Sequence, residues 1–282
     1  NSSNQPIEQS SSITVTAPAN SAFTTASSSG RPWACAVVFK IDGNSSNQHI
    51  WNQGEGAGST DDNIYLRLDS SRNLYFGWGR SGALNECIVQ NTISTGNWYG
   101  VYIAHNGTRL SGANASGTNL AACFDIRVMS SADNFTALSN NGSVPFMWNN
   151  GVTGGRMDRT VTGPFTIGGR GANRNFHGKI ASFVSTTLKL NVNMPSDAEI
   201  EMMIKDPMQW VQDYKVGQTY RRPYQGTNST NWQIGATSGV WYPSNATQVW
   251  IMGDGVNDSY SNMIRNQANT SDQNYTKLNM LS

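Results

Sequence analysis

The chain has 282 residues, of which 37% are hydrophobic and only 13% charged, and its formal net charge is +1. That balance argues against a nucleic-acid partner, whose phosphates call for a basic patch, and against a charge-driven membrane role. No apolar run approaches the roughly 20 residues a membrane helix needs. The length admits one large β domain or two small ones.

Polarity comes from Asn, Ser, Thr and Gly rather than from charge, which suits turns and solvated strand faces and leaves little room for long helices. The cysteines are Cys35, Cys87 and Cys123. Their odd count and wide spacing form neither a disulfide framework nor a zinc motif, and small buried thiols are expected. No leader-like segment is visible, and a first residue of Asn1 is expected of a processed or trimmed product.

Residues 1–12 read as a flexible polar arm. Ile13-Thr-Val-Thr predicts a short strand, and Ala22 to Ala26 another. From Trp33 to Ile41, Trp33, Cys35, Val37, Phe39 and Ile41 share one face. Ala34, Ala36 and Val38 make the opposite face mildly apolar, so both faces are expected to be covered. His49 to Asn52 is a short strand. Asn63–Leu68, a turn at residues 69–73 and Leu74–Trp78 predict a hairpin. Cys87 to Val89 is a further strand. Asn97 to His105 runs into Asn106-Gly107, the strongest short hairpin signal. Ala122 to Met129 alternates as a half-buried strand, with a short one at Phe146 to Trp148 inside a loop-rich stretch.

Phe165 to Leu188 reads as strand, glycine corner, strand. Strict alternation fails at Phe183-Val184, as at a bulge or under cover on both faces. At Gly168-Gly169-Arg170-Gly171 the absence of a Walker lysine favours a tight corner over a phosphate loop. Ser196 and Glu199 predict a capping box for a helix with an apolar stripe at Ile200, Met203 and Ile204, ended by Asp206-Pro207. Met208 to Tyr214 predicts a further turn or two of helix. Past Pro223, three short strands are expected around Trp232, Val240-Trp241 and Val249-Trp250-Ile251. That tail holds too few apolar residues for its own core and should pack on the main domain or on a neighbour. The predicted division is an arm at 1–12, a β domain at 13–222 and a β-rich extension at 223–282.

Many short strands, frequent turns and one late helix predict an antiparallel β-sandwich. Four segments sharpen this. They are Pro32-Trp-Ala-Cys-Ala-Val-Val-Phe-Lys, the Ile64–Trp78 hairpin, Gly96-Asn-Trp-Tyr-Gly-Val-Tyr-Ile-Ala-His-Asn-Gly-Thr, and Phe165-Thr-Ile-Gly-Gly-Arg with Phe176-His-Gly-Lys-Ile. In that order they resemble the core strands of concanavalin A-like domains of the laminin-G and pentraxin type, over about residues 13–190. The resemblance implies an all-β jelly-roll sandwich and a lectin-like role. Ser196 to Arg222, Trp250-Ile-Met-Gly-Asp-Gly and Leu278-Asn-Met resemble segments of bacteriophage structural proteins. That implies a virion surface component (capsid decoration, fibre or knob), with other virion proteins or copies of itself as partners and cell-surface glycans as ligands. A secreted protein is the alternative location.

The chain departs from the family at Tyr99 and Gly100, near where many relatives carry a His. It also lacks the paired-carboxylate E-x-D-x-x-E strand of the glucanases, whose chemistry needs two carboxylates about 5 to 10 Å apart. Asp61, Asp62 and Glu86 are read as lying apart at turns or strand ends, and no lyase signature is recognisable. A non-enzymatic protein is therefore expected. A diverged glycoside hydrolase or lyase and a purely structural cement subunit are the alternatives.

Candidate sites follow from side-chain chemistry. Trp51, Trp78 and Trp148 lie near turns and offer flat faces for a sugar ring. Trp33 and Trp98 are read as packing residues. Arg170 and Arg174 flank the glycine corner and suit an anionic sugar or carboxylate. Asp61 and Asp62, with Asp69 nearby, offer oxygen ligands for calcium. His49, His105 and His177 have no zinc spacing.

Overall fold

A computed structural model describes residues 12–15, 32–43, 47–54, 63–80, 83–90, 92–107, 123–140, 146–149, 165–169, 174–187, 195–207, 210, 231–234, 240–243, 248–251 and 275–278. In chain order the first strands are β1 (Ser12–Val15), β2 (Trp33–Ile41), β3 (Gln48–Gln53), β4 (Asn63–Leu68), β5 (Leu74–Arg80), β6 (Ala83–Gln90), β7 (Trp98–His105) and β8 (Phe124–Ser130). A 3-10 turn at Ser131–Asp133 leads to β9 (Ser139–Asn140), β10 (Phe146–Asn149), β11 (Phe165–Ile167) and β12 (Gly178–Thr187). Helix α1 (Asp197–Lys205) follows. Then come β13 (Asn231–Ile234), β14 (Val240–Pro243), β15 (Gln248–Ile251) and β16 (Tyr275–Leu278).

The strands build an eight-stranded sheet, ordered β10-β6-β5-β4-β3-β11-β1-β16, and a six-stranded sheet, ordered β15-β12-β2-β7-β8-β9. β13 and β14 pair with each other. The two larger sheets bury a shared core, giving an antiparallel β-sandwich with, among the described residues, one short α-helix late in the chain.

Alternation in β2 explains the layering. Trp33, Cys35, Val37, Phe39 and Ile41 enter the core between the sheets. Ala34 and Ala36 face the other way, into a second cluster with Ile200, Met203, Ile204 and Trp210. Small side chains there let the helix lie close to the six-stranded sheet. Gly100 on β7 completes that fit, because a Cβ at this position would overlap the Ile204 Cγ2 methyl. The glycine at position 100 thus has a packing reason.

Strand β12 accounts for the broken alternation. Its register on β2 slips between Ile180 and Ser182. The extra residue, Ala181, lets Ile180 and Phe183 enter the same inter-sheet core, while Val184 joins the cluster under the helix. A bulge and two-sided cover occur together.

The capping box is present. The Glu199 amide donates to Ser196 Oγ at 3.4 Å, and the Ser196 amide donates to Glu199 Oε2 at 2.9 Å. Beyond Pro207, the Trp210 amide donates to the Asp206 carbonyl at 2.9 Å, and the Trp210 ring is buried. Cys35, Cys87 and Cys123 are free and buried. In the tail, β15 pairs with β12 and β16 with β1, so each larger sheet gains a strand from its own chain.

One turn differs from expectation. Asn106-Gly107 does not close a two-residue hairpin, since the strand paired with β7 begins at Phe124, opposite His105. The Asn106 amide meets the Cys123 carbonyl at 2.9 Å. Gly107, at φ 83°, donates its amide to His105 Nδ1 at 3.1 Å and forms a local corner. The strand predicted at Ala22 to Ala26 lies outside the described residues.

Candidate binding face

The two sheets have very different outer surfaces. On the six-stranded sheet, α1 covers the small side chains of β2 and β7. On the eight-stranded sheet, alternation sends polar and aromatic groups outward. In β4, Ile64, Leu66 and Leu68 fill the core, so Tyr65 and Arg67 point away from it. In β5, Leu74 and Phe76 are core and Tyr75 is outward; in β6, Cys87 is core and Glu86 outward.

Register then brings these groups together. Tyr65, Gly77 and Glu86 stand abreast on β4, β5 and β6, and Arg67 stands opposite Tyr75. On the other flank, His49 faces Arg67 and Asn52 faces Tyr65. Thr166 on β11 continues the row beside Asn52.

Glu86 is the hub. Arg67 grips it with both arms of its guanidinium, Nε to Oε1 at 2.5 Å and Nη2 to Oε2 at 2.8 Å. The Tyr65 hydroxyl donates to Glu86 Oε1 at 2.8 Å. Arg67 Nη1 also donates to Asn47 Oδ1 at 3.0 Å, and the guanidinium lies 4.4 Å from the Tyr75 ring centre. The imidazole of His49 lies 5.2 Å from the Tyr65 ring. The ion-paired side chains are only 15% (Arg67) and 5% (Glu86) exposed. Such a two-armed, desolvated pair fixes geometry as well as charge.

Burial, then the charge and hydrogen bond of Glu86, hold the Tyr65 phenol well above the ordinary tyrosine range. Burial alone would lower the Arg67 guanidinium, but the Glu86 hydrogen bond and charge outweigh it and raise it. Tyr65 therefore stays protonated and Arg67 charged at neutral pH. Next to this network, Asn52 is 2% exposed, and its Oδ1 has no hydrogen-bond donor among the described residues. Arg67 and Tyr75 are half-buried and form the solvent-facing margin.

The residues singled out from sequence are scattered. Trp51 lies inside the sandwich, 0% exposed, with its ring 5.8 Å from that of Phe183 and 6.3 Å from that of Phe165. It cannot stack on a sugar. Proximity to a turn is a poor guide here because β3 is buried along its whole length. Trp33 is core, as expected, whereas Trp98 is half-buried at the start of β7. Trp78 and Trp148 align on either side of Asn85 across β5, β6 and β10. Arg174 is half-buried, and its carbonyl accepts the His49 amide at 3.2 Å. Arg170, Asp61 and Asp62 fall outside the described residues.

Asp69 is a turn residue. Its Oδ1 accepts the amides of Ser71 and Asn73 at 2.8 and 2.9 Å, and its Oδ2 accepts Asn73 Nδ2 at 3.1 Å. Burial would raise its carboxyl, but the Asn73 and Ser71 hydrogen bonds outweigh that and hold it below the ordinary range. These oxygens close the β4–β5 hairpin, which leaves them poorly placed for an ion. Among the described residues, no group of three or more His, Cys, Asp and Glu side chains could hold a metal.

The sequence reading missed Glu86, Arg67, Tyr65 and Asn52. Glu86 is not at a strand end: it sits within β6 and faces outward. A signal existed, because Tyr65 and Arg67 alternate with three core residues. Which polar group of another strand they would meet depends on register.

No family model matches the chain, and no curated protein matches it. Solved structures do resemble it in outline. CBM40 of the Ruminococcus gnavus IT-sialidase, bound to alpha2,3 sialyllactose, shares 11% identity at a TM-score of 0.40, over 71% of this chain and 96% of that one. The enzymatically active domain of bacteriophage CBA120 tailspike protein 2 shares 11% identity at a TM-score of 0.41, over 66% of this chain and 26% of that one. A heptameric SAP-like pentraxin from Limulus polyphemus shares 12% identity at a TM-score of 0.33, over 64% of this chain and 73% of that one. These values describe a shared outline.

Proposed function

We propose that the chain is a lectin-like domain of a virion surface protein, such as a capsid decoration, fibre or knob, that binds host glycans through the outer face of its eight-stranded sheet. The observation that carries this is the contrast between the two outer faces. One is closed by a helix. The other carries Arg67 and the Tyr75 ring, half-buried at its margin, above a buried network of Tyr65, Glu86 and Asn52, and a guanidinium beside an aromatic ring is a mixture that recognises hydroxyl-rich ligands. The virion setting is drawn from the sequence phrases after Ser196, and other virion proteins or further copies are the partners that setting implies. Calcium at Asp61 and Asp62 belongs to the same proposal, and a rise in Tm on adding calcium tests it.

The reading is non-enzymatic. Glycoside hydrolysis uses two carboxylates about 5 to 10 Å apart. In this cluster Glu86 is clamped by Arg67, and Asp69, which bonds Tyr75, is held by the amides of its hairpin turn. A glycan array on the whole chain tests the reading, with Tyr75→Ala as the variant expected to lose signal. A blank array would end the lectin reading, and absence of the protein from purified particles would end the virion setting.

A second reading draws on one specific observation. His49, Tyr65 and Arg67 share the face with Glu86, so an imidazole, a phenol and a guanidinium stand together as in acid–base chemistry. Under that reading the protein is a diverged polysaccharide hydrolase or lyase. It predicts release of reducing ends or unsaturated uronates, and the lectin reading predicts neither.

A further inference from the structure

We infer that Asn106 is a self-modifying site, converted to aspartate or isoaspartate with His105 as the base. It lies just past the end of β7, on the other sheet from the proposed glycan face, and does not depend on that reading. The first ground is where the imidazole sits. The Gly107 amide donates to His105 Nδ1 at 3.1 Å, so a proton acceptor already stands on the nitrogen that follows Asn106. That bond puts the proton of a neutral His105 on Nε2 and turns the Nδ1 lone pair toward Gly107. The ring is buried, with its centre 4.8 Å from that of Phe124 and 6.2 Å from that of Trp33, on which it stacks. Those two rings hold it in place.

The second ground is the corner itself. The Asn106 backbone is tied to the Cys123 carbonyl at 2.9 Å, while the residue is exposed to solvent. Gly107, at φ 83°, takes a conformation that glycine adopts without strain, and it has no side chain to crowd its nitrogen. An exposed carboxamide, an uncrowded neighbouring amide and a base on that amide are the parts that ring closure needs.

In the reaction, His105 Nδ1 takes the Gly107 amide proton as that nitrogen bonds to Asn106 Cγ. The imidazolium returns the proton to the side-chain nitrogen, the bond from Cγ to that nitrogen breaks, and ammonia leaves. A succinimide remains. Solvent water opens it at either carbonyl, giving aspartate, or isoaspartate with the main chain rerouted through the side chain. No oxidant or further reagent is needed. Either product puts a carboxylate where β7 leaves its sheet and a neutral amide stood before.

Peptide mapping by mass spectrometry on the full chain, incubated at neutral pH, follows the amide-to-acid mass change and the isoaspartate product. Asn141-Gly142 and Asn150-Gly151 repeat the dipeptide without a histidine before it and serve as internal references. Asn106 should react faster than both in the folded chain, and its advantage should vanish in urea. An Asn106 no faster than the references overturns the inference, and an advantage that persists in urea counts against it. Two variants test the base. His105→Phe keeps a ring against Trp33 and Phe124, and His105→Gln keeps an acceptor that cannot take up the proton. Both should slow the reaction about tenfold or more. A thermal melt checks that each is folded, and an unchanged rate in either folded variant removes His105 from the reaction. If neither folds, the ranking of the three sites in the parent chain decides.

Discussion

The outer surfaces of the two sheets differ in what a single row of residues does. On the six-stranded sheet the row from β12 to β7 is Val184, Ala36, Tyr102, and it lies beneath a helix. On the eight-stranded sheet the equivalent row is Asn52, Tyr65, Gly77, Glu86, and it ties itself together with charge and hydrogen bonds. Both rows sit on the same pleated scaffold. Small apolar groups invite a second layer of packing; large polar groups bind one another and bury themselves, with Arg67 and Tyr75 half-exposed at the margin. The side chain that each strand sends outward, and its neighbours across the ladder, set the fate of a face.

The largest effect should come from removing the hub of the polar face. Glu86→Ala leaves Arg67 and Tyr65 buried without their acceptor and should cost about 3 to 5 kcal/mol. Urea unfolding measures it. Adding Arg67→Met should recover part of that loss, because an apolar pair needs no desolvation. No recovery would mean that Glu86 is held by something other than this pair.

Next is the packed face. Gly100→Val should cost about 1 to 3 kcal/mol by wedging α1 off β7. The loss should be accompanied by faster proteolysis near Ile204. A Gly100→Val variant as stable as the parent would show that the helix adjusts without strain.

A pH titration separates the faces by chemistry. The Cys35 and Cys87 thiols and the Tyr65 and Tyr102 phenols all lie above their ordinary values, with burial as the first cause. Raised folded-state values mean that their stabilisation is intact at neutral pH. It is lost as the unfolded chain ionises, first its thiols near pH 9 and then its tyrosines near pH 10. Stability should fall steadily above pH 9. Tyr65→Phe should blunt the fall above pH 10, and a flat profile would contradict the buried, neutral phenols.

The smallest effect is on Tyr102. Its hydroxyl is buried without a partner among the described residues, so Tyr102→Phe removes an unmet polar group at nearly constant shape. Stability should change by less than about 1 kcal/mol, or rise. A large loss would reveal a partner for that hydroxyl.

Much of the fold is legible along the chain. The nine residues of β2 alternate so cleanly that both of its buried faces can be read from the residues alone. Ser196 and Glu199 mark the start of the helix because a capping box is a local device, complete within four residues. The site is less legible. Trp51 looks like a ligand platform, yet it lies in the core, because the neighbour that covers it, Phe183, comes from a distant strand. Glu86 looks isolated for the converse reason: its partner Arg67 lies 19 residues away and meets it only through register.

The amino-acid order alone set the period of each strand, the glycine corner, the helix start and the absence of a two-carboxylate strand, since all of these depend on residues close together along the chain. That Arg67, Tyr65 and Glu86 share one outer row while Trp51 is enclosed was settled only when the strands assembled in space. The outcome depends on which strands lie side by side and on slips of a single residue in their pairing, and local side-chain chemistry carries no record of either.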